Sequence, residues 1–346
     1  MDVLVTGGNG FVGRHLVDAL LARGDRVRVL ALPREDASSL EQRGVVVHRG
    51  DVRRPETLIA PVHAAEAVVH LAAMMDVWRP LHEYAAVNVT GTENMCRAAL
   101  VAGVDRFVHM SSSSVYGMDW RMPVGEDCAL CPFPDPYPVT KTRAERVVQR
   151  MITEGGLPAT IIRPDQIFGP GDRLHFARTA DRVRSGRAIV VGHGDNRLPL
   201  VYVADAVQGL LLGLDHPQAV GGTFNIANDE PFTQLQFLSA VADAIGAKPP
   251  RVHVPYRVAY GAACVAERMP VSRYTWRRPP LTRLGVAFAG RDVRFAIERA
   301  RATLGYAPRV PLAEGIERAA AWYRSVPTTG PANVAPSPTR ISGVAT

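Results

Sequence analysis

Lysine is almost missing from this chain. Of its 40 Lys and Arg residues, only Lys141 and Lys248 are lysine. The two residue types are not interchangeable: lysine is a compact cation whose pKa shifts readily, so its retention at two positions draws attention to them. Cysteine is scarce too. Four in 346 residues are too few for a disulfide framework and suit a reducing compartment, so a cytoplasmic location is expected. Cys128 and Cys131 form a lone C-x-x-C in a proline-rich loop, without a second pair or a nearby His-x-x-His, and no metal is expected. Apolar runs stop well short of the roughly 18 residues that a membrane span needs, so none is expected. Met1-Asp2 leads straight into a strand-like run, so no signal peptide is expected either. The net charge of +7 is spread along the chain. It is compatible with a phosphate-bearing ligand and gives no ground for a nucleic-acid partner.

What is present is a soluble globular composition, 47% hydrophobic and 21% charged. Asp2–Thr6 reads as a buried strand, followed by Gly7-Gly8-Asn9-Gly10-Phe11-Val12-Gly13 and an apolar helix to about Arg23. Glycines at this spacing permit a tight turn and let the backbone approach a pyrophosphate at a helix N-terminus. In strand–turn–helix context the pattern signals a dinucleotide cofactor. Further strands are expected at Arg26–Leu30, Val45–Arg49, Ala67–Leu71, Arg106–Met110 and Ala159–Arg163, with helical stretches between them such as Asn88–Ala102. Repeated βα units predict an α/β fold, a Rossmann-like doubly wound parallel sheet. Asp51 and His70 fall at the carboxyl ends of strands, where such folds bind ligands. Asp51 is read as a ligand contact and His70 as a structural histidine.

Tyr137 and Lys141 are four residues apart, which places them on one face of a helix. A neighbouring ammonium favours the phenolate, so the Tyr137 pKa is expected to fall and to give an acid–base group usable near neutral pH. Ser111–Ser114 follows the fifth strand at the same sheet edge, ready to hold a carbonyl or alcohol. The second half is more irregular. Helices are expected at Phe176–Ser185, Ala204–Leu214, Thr233–Ile245, Ala296–Leu304 and Ala313–Tyr323, and short strands at Ile189–Val191, Thr223–Ile226 and Val252–Val254. Pro164–Asp172 reads as a turn-rich exit from the sixth strand. Val258–Val265 reads as a core or lid helix, with contact to a membrane surface as the alternative. Residues 1–165 are assigned to cofactor binding, with 198–227 returning to that domain. A smaller substrate lobe takes 166–197 and 228–325, and 326–346 read as a disordered tail.

These motifs together resemble the extended short-chain dehydrogenases/reductases, the NAD-dependent epimerase/dehydratase family. They are TGGNGFVG, GDV at 50–52, HLAA at 70–73, VNVTGT around Asn88, SSSSVYG at 111–117, YPVTK at 137–141, RPDQIFGPGD at 163–172, VYVADAV at 201–207 and GGTFNIAN at 221–228. The resemblance covers roughly residues 2–325. It implies Ser112, Tyr137 and Lys141 as the catalytic set, with Lys141 also bonding the nicotinamide ribose. It implies cofactor contacts at Gly7, Gly10, Phe11, Val12 and Gly13, at Asp51 and Val52 near the adenine, and at Leu71, Ala72, Ala73 and Pro164. Substrate contacts are expected at Ser113, Gln166 and Arg197. Gln166 and Leu198 stand where many nucleotide-sugar enzymes of the family place Asn and Arg. YPVTK, GDNRLPLVYVAD and PPLTR are closer to the branch similar to 3β-hydroxysteroid dehydrogenases and sterol or flavonoid reductases. The expected activity is therefore NAD(P)-dependent interconversion of a secondary alcohol and a ketone on a lipophilic or polycyclic molecule. The alternatives are a nucleotide-sugar epimerase, dehydratase or 4-ketoreductase and, in another class, a cofactor-binding sensor without turnover. Ala31 stands where NAD enzymes of this fold carry an acid, and Arg34 follows it, which favours NADP over NAD; Glu35 and Asp36 beside it keep NAD as the alternative. By analogy with the family, a homodimer is expected.

Overall fold

The computed structural model describes residues 1–117, 123–269 and 278–326. The expected tail at 326–346 lies outside the described residues except for Val326, and the loop expected at 118–136 is described from residue 123. Six strands of the first half, β1 (Asp2–Thr6), β2 (Arg26–Ala31), β3 (Val46–Arg49), β4 (Ala67–His70), β5 (Arg106–Met110) and β6 (Ala159–Pro164), enter one sheet. Three short strands follow, β7 (Gln166–Phe168), β8 (Val190–Val191) and β9 (Leu200–Tyr202), then β10 (Thr223–Ile226) and β11 (His253–Val254). The seven-stranded sheet has the order β10-β6-β5-β4-β1-β2-β3, and every pairing in it is parallel. The chain winds outward from β1 to β3, then restarts beside β1 with β4 and winds the other way. The carboxyl ends of β1 and β4 therefore flank the crevice where such sheets take ligands.

Alternation along the strands divides the core between two faces. Val3 and Val5 of β1 pack with Leu16, Leu20, Val207 and Leu210 from the helices Phe11–Ala22 and Val203–Asp215. Leu4 packs on the other side with Met95, Ala99 and Val148 from the helices Gly91–Ala102 and Pro136–Thr153. Strands buried on both faces read as near-continuous apolar runs, which is why they stood out in the sequence.

A cap sits on the carboxyl side with a core of its own, in which Phe168, Phe176, Tyr202 and Phe237 meet. Its helices Phe176–Arg184, Gln234–Ala244 and Leu312–Ser325 match expected stretches closely. Two strands were not expected. Gln166–Phe168, read as an irregular exit, pairs in parallel with Leu200–Tyr202. Its partner lies 34 residues away, and turn residues around it mask the strand. The Asn88 helix starts differently as well: a wider π-type turn at Ala86–Thr90 joins Leu81–Ala85 to Gly91–Ala102. Such bulges recur at functional sites, and this one carries Asn88. In the helix Tyr256–Arg268 only Ala259 and Ala263 are buried, while Val258 and Val265 are 60% and 66% exposed, so its valines are not core residues. Among the described residues no helix is long and apolar enough to cross a membrane.

Candidate active site

At the β1–β4 crevice the site is made of backbone. Gly7 adopts φ +70, and its carbonyl accepts a hydrogen bond from the Gly10 amide at 3.0 Å. A Cβ on Gly13 would lie 2.1 Å from that carbonyl, so the close approach of helix to turn requires glycine there. The helix Phe11–Ala22 starts at Gly10 with no side-chain cap, which leaves the amides of Phe11 and Val12 directed at the crevice. A glycine cradle with an uncapped helix N-terminus fits the pyrophosphate of a dinucleotide. The exit of β4 closes the cradle: the Ala72 amide donates to Thr6 Oγ1 at 3.1 Å, and a Cβ on Gly7 would meet that same amide nitrogen. Leu71, Ala72 and Ala73 thus line up beside the glycine turn.

Asp51 and Val52 lie at the next strand end, both buried. Burial opposes ionisation of Asp51, but hydrogen bonds from Arg53 outweigh it and hold its carboxyl below the ordinary range. Arg34 is exposed. Glu35, and not Arg34, reaches the glycine turn: it accepts from Asn9 Nδ2 at 3.1 Å and from the Leu32 amide at 3.0 Å.

At the ends of β5 and β6 the site is made of side chains. Asp135 caps the helix Pro136–Thr153 by accepting from the Tyr137 amide at 3.0 Å, and Pro136 occupies the first turn, where it lacks no needed donor. Tyr137, Lys141 and Glu145 then follow at four-residue spacing on one face. The Tyr137 phenol lies beside the Ser112 hydroxyl, which accepts from the Ser114 amide. Lys141, 3% exposed, donates to the carbonyl of Met110, the last residue of β5. Glu145 accepts from the Ser111 hydroxyl at 2.6 Å and pairs with Arg163 of β6. Arg163 continues to the Tyr116 hydroxyl, which donates to Asn225 of β10 at 2.8 Å. The serine run is therefore held by a buried hydrogen-bonded network around the Glu145–Arg163 ion pair, which reaches from the end of β5 through β6 to β10.

The electrostatics differ from the expectation in one respect. Burial raises the Tyr137 pKa, only partly opposed by the nearby Ser112 hydroxyl, and Lys141 does not pull it down. The physical reason is that the ammonium turns to the Met110 carbonyl. Burial brings Lys141 itself down to about 8, with Glu145 acting in the opposite direction. Below it, His70 bonds Thr6 and Thr92 and is pushed down to about 3 by burial and by Lys141, so it is a neutral structural residue. Asp165 beside Ser113 is pushed up to about 8 by burial, against the opposing effect of the Ser113 hydroxyl, and holds a proton at neutral pH.

The remaining expected residues are spread out. Pro164 ends β6, and Gln166 starts β7 two residues on. Ser113 is buried beside Asp165. Arg197 makes a two-pronged pair with Asp292, at 2.9 and 2.7 Å. Glu145, Arg163, Asp165 and Asn88 were not singled out as site residues. Glu145 had a readable signal, since it extends the Tyr137–Lys141 row by one more turn. Asn88 bonds both the amide and the carbonyl of Met74, and Thr140 Oγ1 at 3.0 Å, and so ties the β4 exit to the Tyr137 helix.

Residues 3–227 match the family model described as NAD dependent epimerase/dehydratase. The chain belongs to this family. Along 92% of its length it is 34% identical to 98% of 2-alkyl-3-oxoalkanoate reductase from Stenotrophomonas maltophilia. It is 31% identical, over 92% of this chain and 87% of the relative, to the decarboxylating sterol-4-alpha-carboxylate 3-dehydrogenase of Homo sapiens. Among solved structures it resembles a short-chain dehydrogenase/reductase superfamily protein from Agrobacterium tumefaciens with bound NAD. That likeness has a TM-score of 0.73 at 28% identity, covering 94% of this chain and 97% of the other. As a member of the epimerase/dehydratase family with dehydrogenase and reductase relatives, the protein is an NAD(P)-dependent oxidoreductase of the extended short-chain type.

Proposed function

We propose that the protein interconverts a secondary alcohol and a ketone on a lipophilic small molecule through Ser112, Tyr137 and Lys141. The observation that carries this reading is the approach of the Tyr137 phenol to the Ser112 hydroxyl at the carboxyl edge, with Lys141 one turn along the same helix face. A substrate carbonyl entering there accepts from Ser112, and Tyr137, held neutral by burial, gives its proton to the oxygen as the carbon is reduced. When bound, the nicotinamide supplies or takes up the hydride. Lys141, one turn along the helix, holds the ribose side of the cofactor. The proposed substrate lobe is 166–197 with 228–325, closing over a cofactor part built from 1–165 and 198–227. Both relatives named above act, by their names, on substrates whose carboxylate is attached to the carbon next to the reacting one. A lipophilic acid of that pattern is the first substrate to try.

We infer NAD as the cofactor. The support is Glu35, whose carboxylate lies against Asn9 of the glycine turn, while Arg34 is exposed. This reverses the preference drawn from Ala31 and Arg34 alone.

The test is Tyr137→Phe, which removes the transferable proton and little else. Turnover should fall by about 10²–10⁴-fold with cofactor affinity unchanged. A variant with near-normal kcat would sink the assignment. Titration with UDP and dTDP addresses the competing nucleotide-sugar reading, which micromolar binding competitive with substrate would favour.

A further inference from the structure

A group of arginines by the exit of β4 has no role in the reaction as described so far. Asp76, in the exit of β4, pairs with both Arg178 and Arg278. It adopts φ 54, the left-handed region, and its side chain is only 4% exposed. Neighbours on both sides hold it there. Met74 is tied through Asn88 to Thr140, which lies between Tyr137 and Lys141 on their helix. The Tyr84 hydroxyl bonds both the amide and the carbonyl of Val77. Arg182, one turn beyond Arg178, donates to the Pro280 carbonyl at 3.0 Å. Three residues past Pro280, Arg283 bonds Glu267, and both of their charges bear on Asp135, the cap of the Tyr137 helix. Asp76 thus lies two residues from a hydrogen-bonded tie to the helix that carries Tyr137.

Their charge is not balanced. The carboxylates that bear on them, among the described residues, are Asp76 and Asp172, and Asp172 is also engaged by the amides of Leu174, His175 and Phe176. Against these stand Arg178, Arg182 and Arg278, with the charge of Arg187 close enough to act on Arg182. Burial lowers the pKa of Arg178, Arg182 and Arg278. Yet Arg178 keeps 46% of its side chain open to solvent. All three guanidiniums are reachable from solvent, and the excess of positive charge among them draws an incoming anion.

We infer that Arg178 and Arg278, paired with Asp76 at the exit of β4, together with Arg182 one turn beyond Arg178, receive a carboxylate carried by the substrate near its reacting alcohol or ketone. The inference rests on the oxidoreductase reading and narrows it to hydroxy and oxo acids. Guanidinium forks match a carboxylate with paired hydrogen bonds, and Asp76 keeps the forks apart and oriented until the acid arrives.

The test compares a 2-alkyl-3-hydroxyalkanoic acid with its methyl ester. Calorimetric binding is measured on protein saturated with NADH, where a hydroxy compound cannot be oxidised. The acid should bind at least tenfold tighter than the ester. Arg178→Gln should weaken the acid by about tenfold to a hundredfold and leave the ester and NADH unchanged, the scale of lost charge-assisted hydrogen bonds. Arg178→Lys should restore part of the loss, and Arg182→Gln gives an independent variant should Arg178→Gln fold poorly. Equal binding of acid and ester, or equal losses of both in Arg178→Gln, overturns the inference. Weakened NADH binding overturns it too, because the guanidiniums would then serve the cofactor phosphates. Turnover is scored separately: an acid that binds better than its ester but is never oxidised with NAD sinks the oxidoreductase reading and leaves the carboxylate site standing.

Discussion

The two ends of one sheet edge are built from different materials. Over β1, β2 and β4 the crevice is backbone: glycines at 7, 10 and 13, an uncapped helix and a hydrogen bond from Ala72 to Thr6. Over β5, β6 and β10 it is side chains: Ser111, Glu145, Arg163, Tyr116 and Asn225 form one buried network beneath Ser112 and Tyr137. The first kind of site depends on how closely main chains can approach. The second depends on every buried polar group having its partner, because an unpaired one in a low-dielectric interior is costly. A pyrophosphate needs many amides and tolerates an apolar surround. A proton-transfer site needs fixed side chains with shifted pKa values, and those require burial.

The difference is sharpest in the response to losing a charge. Glu145→Ala would leave Arg163, 3% exposed, as a buried unpaired cation. Stability should fall by about 3–5 kcal/mol in urea unfolding, whereas a double replacement of Glu145 and Arg163 by apolar residues of similar volume should recover most of that loss. A loss under about 1 kcal/mol for Glu145→Ala would mean that the network is not what holds this half together. Lys141→Met tests the same half in the opposite direction. The Lys141 pKa is about 8 in the fold against 10.5 for the free side chain. Below pH 8 both states hold the proton, and the fold bears the full penalty of burying the ammonium. Between 8 and 10.5 the unfolded chain still binds a proton that the fold has released, so the wild type regains stability as pH rises. Lys141→Met should therefore be inactive yet more stable at pH 7, by up to about 3 kcal/mol at about 1.4 kcal/mol per pK unit. The gain should shrink towards pH 10.5. A gain that grew with pH would reverse the sign of the argument.

The cofactor half should respond less. Glu35→Gln removes the carboxylate from the glycine turn without touching the cradle. The kcat/KM ratio for NAD over NADP should drop by about tenfold, with thermal stability nearly unchanged, since one partly exposed hydrogen-bonding group is at stake. A wild type that already prefers NADP, with the ratio unmoved in Glu35→Gln, would restore Arg34 as the residue that chooses the cofactor.

The same contrast separates what the sequence determined from what tertiary structure decided. The six strands of the first half, the glycine cradle, and the Tyr137–Lys141 row were legible because each rests on a short period: alternation by two, glycines three apart, or one helical turn. The family resemblance added Ser112, which spacing alone could not select from four consecutive serines. Groups brought together from distant parts of the chain were not legible. Arg163 lies 18 residues beyond Glu145, Asn225 lies 109 beyond Tyr116, and β7 meets β9 across 34 residues. Arg178 lies 102 residues beyond Asp76. The Tyr137 pKa was misjudged for the same reason. The sequence places a lysine one turn away, but only the fold turns its ammonium to the Met110 carbonyl and draws the phenol half out of solvent. Local periodicity determined which face each residue occupies. Packing of distant elements decided which charges are paired, and therefore which groups hold a proton at neutral pH.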